Sequence, residues 1–325
     1  MFMSAKRVLI NAILVLGLLL AAYLLYKVFS RYSIDEITRS IAAIPVSRLL
    51  SGLGFAALSY LCLTGFDWMG LRYAGKPLSY PKAAIASFTG LSIGHNLGVA
   101  ALSSGAVRYR YYARWGLSAE EVAKVILFCG VTVGLGLSVL AGLALLINPS
   151  DAANLLAISA GGLFKLGLAC FAFPVAYILL AATVRAPLRL RNWSFEMPSL
   201  VLAIGQIVIG TLNFVFVAAC LHQMLVAQED INFVQTATAF VLANIAILLT
   251  HVPGGLGVLE ATVSHVLPGA ASIGALVAFR VIYFIVPLLI GIPLFAISEV
   301  VLRKRGKTVS EDRSGQPSDA QAQLL

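Results

Sequence analysis

Leu248-Leu249-Thr250-His251-Val252-Pro253-Gly254-Gly255-Leu256-Gly257-Val258-Leu259-Glu260 is the stretch whose reading decides the fold. It interrupts an apolar run, 233–268, with a proline, three glycines, a histidine and a carboxylate. Pro253 removes a backbone donor and clashes with the preceding turn, and Gly254, Gly255 and Gly257 add flexibility, so the residues predict two half-helices. In lipid, irregular backbone survives only where protein or a water-filled cavity satisfies its polar groups. A broken segment at depth is therefore a candidate binding site, built as discontinuous transporter helices build theirs. A proline kink packed silently against its neighbours is the plainer alternative. Glu260 tips the reading towards function, because an intramembrane charge is costly and is kept where it acts.

The composition places this run in a membrane. Of 325 residues, 60% are hydrophobic and 11% charged, with a mean hydropathy of +0.93, whereas a soluble domain carries about a quarter charged residues. The net charge of +9 sits in short basic clusters at the ends of apolar runs, which sets topology and argues against nucleic acid as a partner. A spanning helix needs about 20 apolar residues, and runs of that kind occur at 8–29, 49–66, 122–147, 155–184, 199–221 and 273–302. The first follows Lys6-Arg7 and is too long for a signal-peptide core, so it reads as a retained span. Two further runs, 83–107 and 233–268, are interrupted. In the former, Gly98 and Gly105, with Asn96, Ser103 and Ser104 nearby, favour breaks over continued helix. Cys62, Cys129, Cys170 and Cys220 lie in apolar segments without C-x-x-C spacing and read as small buried hydrophobes. Residues 1–305 are expected to form one integral membrane domain, and the polar residues 306–325 a disordered cytoplasmic tail.

Lysine and arginine bias orients the spans. Lys6 and Arg7 place the N-terminus in the cytoplasm, and Arg303-Lys304-Arg305 place the C-terminus there too. Basic residues flank 83–107 on both sides, with Lys76 and Lys82 before it and Arg108, Arg110 and Arg114 after it. That segment is expected to dip into the bilayer and return. The run 233–268 would do the same from the opposite face. The expected fold is thus an all-α, polytopic membrane helix bundle with two broken, re-entrant segments, in the manner of an inverted repeat.

Several residues could carry chemistry. Glu260 falls in the first turns of the second half-helix, where the helix dipole favours a carboxylate and burial favours its neutral form. It could carry a proton or meet a cationic group, or it could pair with Arg280, a mid-span arginine that itself needs a partner. Arg108-Tyr109-Arg110-Tyr111-Tyr112-Ala113-Arg114-Trp115 suits phosphate headgroups, because guanidinium forks match phosphate and aromatic rings settle at headgroup level. An ordinary aromatic belt with basic anchors is the alternative. Asp67 ends the second span and either joins the site or marks the interface. Lys165 is expected to snorkel outward. His95 and His251 precede the two breaks without a Glu or Cys ligand set, so they read as satisfied polar histidines and no metal is expected. Ser118-Ala119-Glu120-Glu121 has capping-box spacing and should open a span. There is no P-loop, G-x-S-x-G or H-E-x-x-H, so the chain reads as a protein without enzymatic activity or cofactor.

At these residues the chain resembles a known family. Phe66-Asp67, Leu71-Arg72-Tyr73, Ala86-Ser87-Phe88, His95-Asn96-Leu97-Gly98, Leu102-Ser103-Ser104-Gly105-Ala106-Val107-Arg108-Tyr109-Arg110 and Val252-Pro253-Gly254-Gly255-Leu256-Gly257-Val258-Leu259-Glu260 are similar to motifs of the lysylphosphatidylglycerol synthase transmembrane family, which is flippase-like. The similarity extends to about Leu302. In larger members this domain precedes a soluble synthase that transfers lysine to phosphatidylglycerol, and the membrane domain moves the product to the outer leaflet. The resemblance implies translocation without synthesis, and it singles out Asp67, Arg108 and Glu260. The Ser103-Ser104-Gly105 version of a site often written with two glycines is a departure from the pattern.

The resulting expectation is an inner-membrane protein that moves a phospholipid, such as an aminoacylated phosphatidylglycerol, between leaflets. Arg108 and Arg110 would hold phosphate, Glu260 and Arg280 would complete the site, and helix N-termini at the breaks would add anion donors. Two other classes fit the same residues. One is a secondary transporter of a small polar solute. The other is a non-transporting membrane partner of a separate lipid-modifying enzyme.

Overall fold

The computed structural model describes residues 34–97, 100–147, 149, 153, 159–184, 188–190, 193–250, 252 and 255–314. The expected span 8–29 and residues 315–325 of the expected tail lie outside them. In chain order the helices are α1 (Ile34–Ala42), α2 (Val46–Tyr73), α3 (Tyr80–Leu97), α4 (Ala100–Arg114), α5 (Ala119–Ile147) and α6 (Ala160–Thr183). After a short β1–β2 ribbon (Leu188–Leu190 and Trp193–Phe195) come α7 (Leu200–Leu225), α8 (Phe233–Thr250), α9 (Val258–Val266), α10 (Ile273–Arg280), a π-helical turn (Val281–Ile285) and α11 (Val286–Ser314). Among the described residues the fold is helical apart from that antiparallel ribbon, which pairs Leu188 with Phe195 and Leu190 with Trp193.

Six of these helices are long and apolar enough to cross a membrane, α8 and the continuous 274–301 segment among them. This is a multi-pass membrane protein. Large apolar side chains such as Leu61, Leu168, Leu179, Val201 and Leu289 are exposed, as a lipid-facing surface requires. α6 is the peripheral helix, with only 11% of its apolar window buried. Local chemistry sets the helix starts. Ser118 Oγ accepts from Glu121 N at 3.2 Å while Glu121 Oε2 accepts from Ser118 N at 2.7 Å, so the capping box opens α5 as expected. Ser272 Oγ caps α10 by accepting from Ala275 N at 3.1 Å.

α3, which ends at Leu97, and α4, which starts at Ala100, pack against each other as a hairpin. Gly98, an expected break, lies outside the described residues. Gly105, the other expected break, is instead inside α4. Its lack of a side chain serves packing, since a Cβ there would meet Ile126 Cδ1 of α5 at 3.1 Å. Likewise, a Cβ on Gly94 of α3 would sit 2.8 Å from Ser104 Cβ of α4, so the small residues of this run draw two helices together. α8 and α9 form the second hairpin, also packed on itself. The last helix carries on past Gly306 to Ser314.

The two halves pack alike. α2 and α7 lie against one another at the centre, α2 carries the first hairpin through α3, and α7 carries the second through α8. Each hairpin also leans on the closing helix of the other half, α3 on α11 and α8 on α5. α5 and α7 meet at Gly136 and Gly210, where a Cβ on Gly210 would come within 2.5 Å of the Thr132 carbonyl oxygen. The apolar core gathers Phe66, Leu71, Tyr112, Leu221, Met224 and Phe279 where these helices converge.

Candidate functional site

The second break is built by backbone conformation. Gly255 and Gly257 adopt φ of +60° and +83°, which a side chain would strain. Gly257 is the N-cap of α9. His251, Pro253 and Gly254 lie outside the described residues. Glu260, in the first turn of α9, accepts from Gly257 N at 2.8 Å, so its own carboxylate occupies that helix N-terminus.

Arg280 closes on the same carboxylate. Its Nε donates to Glu260 Oε1, its Nη2 donates to Glu260 Oε2 at 2.9 Å, and Nη2 also donates to the Gly255 carbonyl at 2.8 Å. The sequence pairing of Glu260 with Arg280 is thus present, and the arginine also braces the turn. Its guanidinium carbon lies 5.5 Å from the Phe284 ring centroid. The π-helical turn begins directly after Arg280.

The first hairpin holds a second pair. Arg108 of α4 donates from Nε to Asp67 Oδ1 at 2.8 Å and from Nη2 to Asp67 Oδ2 at 2.8 Å, while Nη1 donates to Ser104 Oγ at 2.9 Å. Tyr112 Oη donates to Asp67 Oδ1 at 3.0 Å. Asp67 is 0% exposed and Arg108 3%. Asp67 therefore belongs to the interior rather than to an interface. Every nitrogen of the Arg108 guanidinium meets a protein acceptor, which is what burial of such a group demands.

Arg110 is drawn into a third contact. It grips Glu299 of α11 with Nε at 2.6 Å and Nη2 at 2.7 Å, and Arg114 adds Nη1 at 3.1 Å to the same carboxylate. Glu299 was not among the expected residues. Its signal was present, because it is the sole carboxylate in the apolar run 273–302.

These pairs stand at different depths. Tyr60 lies midway along α2, beside Ser59, whose Oγ is 2.9 Å from Tyr283 Oη in the π turn. Glu260–Arg280 is thus about one turn, ~5 Å, from mid-span. Asp67 is seven residues further along α2, roughly 10 Å towards the Tyr73 end. Glu299, held by Arg110 and Arg114, lies further from mid-span still in that direction. Each hairpin's returning helix, α4 or α9, is therefore latched to a full-length helix by a buried acid–arginine pair, the arginine on the hairpin in one case and the acid in the other.

The end of α3 meets the π turn. Asn96 Nδ2 points to the Phe284 carbonyl at 3.4 Å, and the His95 ring lies 6.4 Å from both the Tyr283 and Phe284 rings. His95 corrects an expectation, for its Nδ1 is enclosed with no hydrogen-bond partner among the described residues. Ser59, Asn213 and Tyr283 form a buried polar chain beside it, with Ser59 Oγ donating to Asn213 Oδ1 at 2.7 Å. No group of three His, Cys, Asp or Glu side chains able to hold a metal occurs among the described residues.

Comparison with known proteins agrees with this architecture. Residues 14–291 match the lysylphosphatidylglycerol synthase transmembrane region. The chain belongs to that family. Among its relatives, an uncharacterised protein of Synechocystis sp. is 28% identical over 261 residues, covering 79% of this chain and 81% of the relative. The inner membrane protein YbhN of Escherichia coli is 26% identical over 263 residues, again covering 79% and 81%. The matched region contains both hairpins, Asp67, Arg108, Glu260 and Arg280, and excludes Glu299. The family is named for the membrane region of the synthase, and nothing in the match concerns a catalytic domain.

Proposed function

We propose that this protein moves a phospholipid between the leaflets of a bacterial-type inner membrane, with both termini in the cytoplasm and the two hairpins as its moving parts. The observation that carries the reading is the pair of buried latches. Asp67–Arg108 and Glu260–Arg280 each tie a returning hairpin helix to a full-length helix. A phosphate is also a bidentate acceptor matched to the guanidinium fork, so an entering headgroup can exchange with a carboxylate at the arginine it leaves. Such an exchange frees the helix that carries the carboxylate, and the displaced carboxylate then takes up a proton or turns to water, since an unpaired buried charge would be costly. The family's association with a lipid synthase fits a lipid cargo, and an aminoacylated phosphatidylglycerol is one candidate. A separate lipid-modifying enzyme would be a natural supplier.

The test is leaflet exchange of labelled phosphatidylglycerol and aminoacylated phosphatidylglycerol in proteoliposomes, comparing wild type with Glu260→Gln and Arg108→Ala. Exchange that depends on both residues supports the reading. Folded wild-type protein that exchanges no lipid under any imposed gradient overturns it in favour of a solute carrier or a non-transporting partner.

A further inference from the structure

Both latches are electrically closed. Asp67 neutralises Arg108 and Glu260 neutralises Arg280, so a phosphate arriving at mid-depth finds no net charge in either pair. Between them sits His95, near the end of α3, where the tip of the first hairpin touches the π turn. Its ring is framed by Tyr60 of α2 at 6.2 Å and by Tyr283 and Phe284 of the π turn at 6.4 Å each. Nδ1 is enclosed and meets no partner among the described residues, while the residue as a whole remains partly exposed. An unmet buried polar group is costly, and such groups persist in native structures for a reason.

Imidazole is the side chain whose ordinary pKa lies between pH 5 and 8, so it can be uncharged in an empty, apolar site and charged near neutral pH when an anion arrives. The groups facing the ring permit this. They are the phenols of Tyr60 and Tyr283, the Asn96 amide and Ser92 on its own helix, and Arg108 of α4, whose positive field keeps the empty ring neutral and which an arriving phosphate would offset. None is a carboxylate that would hold His95 permanently protonated.

We propose that His95 is a substrate-contacting residue, a neutral imidazole that takes up one proton as it meets the phosphodiester of a lipid headgroup at the hairpin tip. This rests on the lipid-transfer reading above and adds to it both the coupling ion and the group recognised. The headgroup's negative charge stabilises the imidazolium. The proton enters with the anion and leaves with it, so no isolated charge crosses the apolar middle. Asn96, whose amide already leans towards the Phe284 carbonyl, keeps the ring on the π turn.

The protonation state can be read directly by ¹⁵N-histidine NMR of the full chain in maltoside micelles, alone, with phosphatidylglycerol, and with inorganic phosphate. The chain has four histidines, and His95→Gln, or the separate loss of the other three, assigns the signal. Near pH 7 the expected result is a neutral His95 ring in maltoside and an imidazolium with phosphatidylglycerol. Exposed His265 reports the surface effect of an anionic micelle and should move less. A His95 signal that does not change, or that moves no more than His265, overturns the proposal. An equal response to inorganic phosphate overturns the lipid assignment. In proteoliposomes, wild-type exchange of phosphatidylglycerol should be at least about fivefold faster near pH 6 than near pH 8, bracketing the imidazole range. His95→Gln should be slow and flat, and an unchanged pH profile in that variant overturns the proposal. If folded wild type exchanges nothing, leaflet transfer itself fails, while the spectra still decide whether His95 meets a lipid phosphate.

Discussion

Replacing Asp67 by asparagine tests the buried latch of the first hairpin. The substitution removes a charge without changing shape, and it leaves the Arg108 guanidinium 3% exposed and without a counter-ion. Breaking a buried pair from one side costs roughly 3–5 kcal/mol, because the remaining charge is still desolvated. The introduced amide keeps one carbonyl oxygen for Arg108 Nε or Tyr112 Oη, so the lower end applies, about 3 kcal/mol. At about 1.4 kcal/mol per tenfold, this lowers the folded-to-unfolded ratio more than a hundredfold. Asp67→Leu combined with Arg108→Met removes both charges and returns most of that loss, less about 1 kcal/mol for the partners given up by Ser104 and Tyr112. The assay is reversible denaturation in detergent of the wild type, Asp67→Asn and the double variant, followed by lipid exchange with the folded ones. The double variant should be stable and inactive, which separates a latch needed for transfer from one needed only for folding. An Asp67→Asn protein within about 1 kcal/mol of wild type, the worth of an exposed pair, refutes the reasoning.

Much of the fold was legible because lipid makes so few demands. A span must be long, apolar and helical, so 49–66, 122–147, 199–221 and 273–302 show their identity in composition alone, and the structure extends 122–147 and 199–221 by about a turn and 49–66 by about two at its Tyr73 end. The Pro-Gly-Gly-Leu-Gly break was equally plain, since residues that need positive φ stood beside a proline. Gly105 misled for a physical reason. Glycine weakens an isolated helix, but inside a membrane bundle it also lets helices approach, and only the neighbour Ile126 reveals which effect holds. The site was half legible. Asp67, Arg108, Glu260 and Arg280 announce themselves as charges in apolar runs, whereas their pairing depends on contacts across 41 and 20 residues of sequence. Glu299 was harder to see because it sits near the end of its run, where a carboxylate reads as an interface residue. The unmet nitrogen of His95 has no sequence signature, for burial without a partner is a property of the assembled bundle.

Further expectations concern the close contacts and the outermost carboxylate. Glu299→Gln loosens both Arg110 and Arg114 from α11, and because the cluster is partly exposed the loss should be about 1 kcal/mol in detergent denaturation, with α4 becoming more accessible to cysteine labelling at Tyr109. Gly210→Ala drives a methyl to 2.5 Å from the Thr132 carbonyl oxygen, so α5 and α7 must part at a cost of about 1–3 kcal/mol, whereas Gly134→Ala meets only Phe173 at 3.6 Å and should change stability little. Gly257→Ala probes the second break itself. At φ +83° an alanine costs about 1–2 kcal/mol, and relaxing that strain swings the Gly257 N–H away from Glu260, which both caps α9 and holds Arg280. Asparagine tolerates left-handed backbone better than alanine, so Gly257→Asn should recover part of the stability and part of the exchange rate. A Gly257→Ala protein as stable and as active as wild type would mean that the turn can re-form without positive φ at this position, and Glu260 would then owe its place to Arg280 alone.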